Sequence, residues 1–269
     1  MTRRERAPVS ATLGKIMNMN RREFLAAAAG GAAIGVLPFS GLAQLKNHLR
    51  YKAVAFDAFP IFDPRPVFAL TTELVPGKGE ELVGLWRTRQ FEYTWLRTLS
   101  GHYVDFPTVT RDALEFAAKS LKVELSPSTR QRLLDSYFQL KAWPDVVPAL
   151  RRLKEAGLRL GFLSNFSHAM LATNIKSAGL DGYFEQLLST DQVRAFKPDS
   201  RSYRMGVDAF GLAPGEIVFA AFAGWDAAGA KSFGYPTFWV NRQNGVEEEL
   251  EIHPDAVGGI DELANFVGV

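Results

Sequence analysis

No cysteine occurs anywhere in the 269 residues, which excludes a disulfide framework, a thiol nucleophile and any thiolate metal centre. Histidine is nearly as scarce: His48, His102, His168 and His253 are scattered singly and form no metal-ligand spacing. A charge excess is missing too. The formal net charge is +2, yet residues 1–43 hold six Arg/Lys against two Glu, so the remainder carries 25 basic and 27 acidic residues. No basic stripe is left, and nucleic acid is not an expected partner. Internal repeats are absent, and the acidic stretch Glu247–Glu251 reads as a solvated surface segment. The weakly apolar stretch Ala26–Leu37 is too short to cross a bilayer comfortably.

What precedes that stretch is informative. Asn20-Arg21-Arg22-Glu23-Phe24-Leu25 leads into an Ala/Gly-rich run and resembles a twin-arginine export signal. Residues 1–43 are therefore expected to be a signal peptide, with Gly41-Leu42-Ala43 as an imperfect cleavage site. Met17 or Met19 would then be the start, since either leaves a conventional short basic lead. The resemblance implies the twin-arginine translocation machinery as a partner and the periplasm as destination; an amphipathic N-terminal helix is the alternative.

Strand-like apolar runs recur at 51–57, 158–164, 185–189, 216–221 and 236–241, with helical patterns between most of them. That alternation predicts an α/β fold built from parallel βαβ units. The first two runs are separated by about a hundred residues without a convincing strand. There Leu82, Leu85, Trp86, Tyr93 and Leu96 recur at helical spacing. Two further helices are expected over Arg111–Leu121 and Thr129–Ala142, the second started by Ser126-Pro127-Ser128. Residues 64–144 thus read as a helical cap inserted into a core made of residues 44–63 and 145–269.

Asp57 closes the run Tyr51–Phe56. A carboxylate there points out of the carboxyl edge of a parallel sheet, where such sheets bind ligands, and it can act as a nucleophile. Leu163-Ser164-Asn165 ends a second apolar run, Lys197-Pro198-Asp199 follows a third, and Gly224-Trp225-Asp226 follows a fourth. With Leu85-Trp86-Arg87 and Phe91–Arg97, these ordered motifs resemble the L-2-haloacid dehalogenases of the haloacid dehalogenase (HAD) superfamily, from about Tyr51 to the C-terminus. The resemblance implies a HAD-like Rossmannoid parallel sheet core with an inserted helical cap domain, a 2-haloacid substrate, no cofactor and a homodimer. It implies that Asp57 displaces halide from C2, that water then cleaves the Asp57 ester, and that Arg87 stabilises the departing halide. Ser164 and Asn165 would hold the substrate, Lys197 would neutralise the surroundings of Asp57, and Asp226 would orient or deprotonate the water. Tyr203 matches a tyrosine that helps to place the lysine, and a core aromatic is the equal alternative. Phe59, Phe91, Phe106 and Trp225 would line an apolar pocket.

The pattern also departs from the family. The first motif is one residue short, with Phe59-Pro60 and no Gly-Thr, and Ala221 and Ala223 stand where Ser and Asn or His are usual. Phe59 and Phe222 occupy the positions at which Mg²⁺ phosphohydrolases of the superfamily carry acids. Mg²⁺ wants oxygen ligands, so a metal-independent site is expected. Two alternatives stay open from sequence: a homologue acting on another small electrophile, and a non-catalytic module that binds small acids.

Overall fold

The computed structural model describes residues 50–269; the expected signal peptide at 1–43 lies outside them. The strands of the main sheet are β1 (Ala53–Phe56), β4 (Arg159–Ser164), β5 (Gln186–Ser189), β6 (Ile217–Ala221), β7 (Thr237–Val240) and β8 (Ala256–Gly258). They form one parallel sheet in the order β5-β4-β1-β6-β7-β8. Every residue of β1 and β6 is buried, as expected where helices cover both faces and strands read as continuous apolar runs. The faces separate with period two: Val54, Phe56, Val218 and Ala220 join one apolar cluster, Ala53, Ala55, Ile217 and Phe219 the other.

Between β2 (Phe62–Asp63) and β3 (Lys141–Ala142), an antiparallel pair, the chain forms four helices. These are α1 (Arg65–Leu74), α2 (Gly79–Ser100), α3 (Phe106–Leu121) and α4 (Pro127–Ser136). The expected start at Ser126 is a cap, its Oγ accepting from the Thr129 N–H at 3.0 Å; the helix expected from Arg111 begins earlier, at Phe106, where Asp105 Oδ1 caps it by accepting from the Thr108 N–H at 3.0 Å. Helix α4 stops at Ser136, short of the expected Ala142, because the chain turns there and residues 141–142 pair with β2. In α2 the buried stripe is Leu82, Trp86, Gln90 and Thr94, whereas Leu96 is 56% exposed. Gln90 and Trp86 enter that stripe because both donate to Thr110, to Oγ1 at 2.7 Å and to the backbone O at 2.8 Å. Apolar periodicity picked out Leu82 and Trp86 of this stripe and missed the polar Gln90 and Thr94.

The remaining helices are α5 (Val146–Glu155), α6 (His168–Ser177), α7 (Ser200–Phe210), α8 (Gly224–Phe233) and α9 (Ile260–Phe266). Helices α5, α6 and α9 cover one face of the sheet, and α7 and α8 the other. Strand β8 was not expected; it is a three-residue edge strand, only partly buried, and carries no apolar run.

Candidate active site

Strand β1 lies between β4 and β6, at the point where strand order reverses, so the crevice opens at its carboxyl end. Asp57 follows β1 directly, Ser164 is the last residue of β4, and Asp226 lies in the first turn of α8 after β6. Lys197 stands just before α7. Residues far apart in sequence therefore meet at one edge.

Lys197 Nζ donates to Asp57 Oδ1 at 2.8 Å and to Asp226 Oδ2 at 2.6 Å. The three are 1%, 8% and 2% exposed respectively, so one buried ammonium is shared by two buried carboxylates. Burial alone would drive the proton off Lys197, but attraction from Asp226 and Asp57 outweighs it and the lysine pKa is raised. Burial pushes the Asp226 carboxyl up to about 6, with Lys197 pulling it back and the Asp57 charge adding to the rise.

Tyr203 is fully buried and donates its hydroxyl to Asp226 Oδ1 at 2.7 Å. Burial, then the Asp226 charge, pushes its pKa well up, so it remains a donor. The tyrosine therefore braces the acid rather than the lysine, and it stands behind the cavity rather than on its wall. Gly229 of α8 makes the approach possible, since a Cβ there would lie 2.6 Å from the Tyr203 oxygen.

The other oxygen of Asp57, Oδ2, accepts from the Phe59 N–H at 3.2 Å. Ser164 Oγ donates weakly to Asp57 Oδ1 at 3.4 Å and accepts from the Phe166 N–H at 3.2 Å. Asn165 Oδ1 accepts from the Lys197 N–H at 3.0 Å, so this side chain positions the lysine backbone while also reaching the cavity.

The cavity measures about 20 Å³, and Asp57, Ser164, Asn165 and Asp226 supply its polar wall. Phe59, Phe91, Phe106 and Trp225 line it as expected, joined by Phe166, Phe222 and Ala223. Phe166 was not singled out from sequence, although its place beside Ser164-Asn165 was a usable signal. A space of this size suits a water molecule, so a three-carbon acid enters only when the aromatic wall shifts. Trp225 also borders an outer apolar groove of about 640 Å³.

Arg87 is not on this wall. Its guanidinium lies 5.0 Å from the Phe68 ring centroid and 5.9 Å from that of Phe91, one ring removed from the cavity. It has no carboxylate partner among the described residues, and burial lowers its pKa. No cluster of three His, Cys, Asp or Glu able to hold a metal occurs among the described residues. The cation between the two carboxylates is the lysine.

Comparison with known proteins agrees with this arrangement. The family model for haloacid dehalogenase-like hydrolases matches residues 22–234. An (S)-2-haloacid dehalogenase of Pseudomonas putida is 39% identical over 218 residues, covering 80% of this chain and 96% of its own. The crystal structure of an L-2-haloacid dehalogenase superposes with a TM-score of 0.80 at 42% identity, over 81% of this chain and 99% of its own. The Xanthobacter autotrophicus L-2-haloacid dehalogenase, solved with chloropropionic acid covalently bound, gives a TM-score of 0.75 at 33% identity, over 81% and 98%. A parallel sheet with Asp57 at its reversal point, together with these matches, makes the chain a member of the haloacid dehalogenase-like hydrolase family.

Proposed function

We propose that the protein hydrolyses (S)-2-haloalkanoic acids to (R)-2-hydroxy acids through an ester on Asp57, with no metal ion. The observation that carries this reading is the unequal environment of the two Asp57 oxygens. Lys197 and Ser164 engage Oδ1, whereas Oδ2 holds only one backbone N–H. Oδ2 is thus the freer nucleophile. It attacks C2 from the side opposite the halogen, and the C–halogen electron pair leaves with halide. A halide needs no proton, so Phe59 can stand where a general acid would otherwise be required. Positioning is the main contribution in this step. Arg87, a half-buried cation without a carboxylate partner among the described residues, is free to attract the departing anion once the wall shifts.

In the second step water adds to the ester carbonyl and negative charge develops on Oδ1. Lys197 Nζ already sits 2.8 Å from that oxygen, which is the placement an oxyanion needs. Asp226 accepts the water proton; on collapse the Cγ–Oδ2 bond breaks, the departing alkoxide takes that proton back, and the hydroxy acid leaves with inverted configuration at C2 while Asp57 regains its carboxylate. Ala221 and Ala223 add no polar group to this step, so Lys197, Asp226 and Tyr203 must carry it. Chloride release from L-2-chloropropionate is expected to continue over many turnovers in EDTA and to fall below about pH 6, where Asp226 takes up its proton. Activity that needs added Mg²⁺, or release that stops after one equivalent, would contradict the scheme.

We also propose export by the twin-arginine pathway to the periplasm, supported by Arg21-Arg22 ahead of the Ala/Gly-rich stretch. A homodimer is supported by Leu96 and Leu99 of α2, which are 56% and 86% exposed. Replacing Arg21 and Arg22 with Lys is expected to leave the protein in the cytoplasm; unchanged periplasmic recovery refutes export, and a monomer mass for the recovered wild type refutes the dimer.

A further inference from the structure

We infer that Trp143 and Arg242 are positioning residues that hold the backbone of the nucleophile loop from behind, an inference resting on Asp57 as the nucleophile. The loop Ala58–Ile61 links Asp57 to β2 and has almost no internal ladder of its own. Each of its four carbonyls nevertheless has a partner. Ala58 O accepts from the N–H groups of Ile61 at 3.1 Å and Phe62 at 2.8 Å. Phe59 O accepts from Trp143 Nε1 at 2.9 Å, and Ile61 O accepts from the Trp143 backbone N–H at 3.1 Å. Pro60 O accepts from Arg242 Nη2 at 2.9 Å and Nε at 3.2 Å.

Three of the four carbonyls are thus held by two residues that lie 80 or more positions downstream. Trp143 follows β3 and Arg242 follows β7, so neither comes from the catalytic edge motifs. They also hold each other. The Arg242 guanidinium lies 4.6 Å from the Trp143 ring centroid and donates from Nη1 to Asp145 at 2.9 Å; its side chain is 9% exposed. Arg65, paired with Asp63 at the end of β2, lies 4.4 Å from the same ring.

What this clamp fixes is the turn that carries the Phe59 amide. The Phe59 N–H is the one hydrogen bond on the freer Asp57 oxygen; its own peptide carbonyl, Ala58 O, is held within the loop, and the clamp fixes the two peptide planes that follow through Phe59 O and Pro60 O. Pro60 cannot donate a backbone hydrogen bond, so the turn has one fewer means of holding itself. The clamp also spans the β2–β3 pair through which the helical segment 65–136 is attached. Movement of that segment to admit substrate therefore need not disturb the nucleophile.

The test compares wild type with Arg242→Met, Arg242→Lys and Trp143→Phe, the last removing one donor and keeping the ring. Two readouts are used: residue-resolved amide exchange at Phe59, and kcat and KM for chloride release from L-2-chloropropionate. Arg242→Met is expected to speed Phe59 exchange at least about tenfold and to lower kcat about 10–100-fold with KM nearly unchanged, since small misplacements of a reacting group cost that much. Arg242→Lys should restore part of both, because its ammonium can still reach one carbonyl; Trp143→Phe should give a smaller change in the same direction. Unchanged Phe59 exchange in Arg242→Met overturns the clamp, as does a loss that the lysine variant does not relieve. Should wild type release no chloride, the dehalogenase reading fails, and the exchange data alone decide for or against the clamp.

Discussion

Asp57→Asn releases chloride from L-2-chloropropionate at least about a thousandfold more slowly than wild type, the scale on which loss of a nucleophile acts. The amide keeps an oxygen for Lys197, so the bond to the buried ammonium survives, whereas its NH2 cannot accept from the Phe59 N–H and that one hydrogen bond is lost. What disappears is the negative charge that performs the displacement. Stability is expected to hold or rise, because a buried group carrying two carboxylates and one ammonium becomes electrically balanced. Intact-mass measurement separates this from a role in water activation. Wild type caught during turnover gains the mass of the 1-carboxyethyl group bonded through C2, and the variant gains nothing. A variant that still forms the adduct, or that keeps substantial turnover, removes Asp57 as the nucleophile.

Lys197→Met has the larger structural consequence. The ammonium is 1% exposed and bonds both Asp57 and Asp226. Removing it leaves two carboxylates together in a buried site without a cation, a change that costs about 3–5 kcal/mol. For a chain of this size that lowers Tm by roughly 10 °C. The pH dependence gives the cause. Asp226 already stands at about 6 with the lysine present, well above an unfolded carboxylate, and rises further without it. The folded variant then binds more protons than the unfolded chain, so its stability increases as pH falls from neutrality toward 4. The gap to wild type therefore narrows in acid. A Tm deficit that is constant between pH 5 and 8 would show that packing of the aliphatic stem, rather than charge, is what the lysine contributes. Turnover should fail at all pH values, with no more than about one equivalent of chloride released, because Oδ1 loses the group that stabilises its developing charge in the hydrolytic step.

The strands that hold the nucleophile were readable because buried parallel strands have to be continuous apolar runs, and β1, β4 and β6 are. The helix start at Ser126 was readable because a cap is a local transaction between neighbouring residues, whereas the helix expected from Arg111 begins earlier, at Phe106 after the Asp105 cap. Strand β8 and the end of α4 were not readable. An edge strand has no buried face to impose a pattern, and α4 ends because of a pairing with β2, some 78 residues away. Apolar spacing in α2 picked out Leu82 and Trp86 of the buried stripe together with the exposed Leu96, but it cannot foresee that Gln90 will be buried by its bond to Thr110.

The candidate site divides in the same way. Asp57, Ser164, Lys197 and Asp226 were legible as residues at strand ends, since the carboxyl edge of a parallel sheet is determined by the order of βα units along the chain. The role of Tyr203 against Asp226, the distance of Arg87 from the cavity wall and the Trp143–Arg242 clamp were not legible.

By itself the sequence determined which chemical groups are available and which edge of the sheet presents them, because alternating strands and helices leave only one way to bury the apolar runs. Only the tertiary structure decided the partners of each group. Hydrogen bonds such as Arg242 to Pro60 join positions 182 residues apart, and whether they form depends on the packing of every element between them, for which no local spacing rule exists.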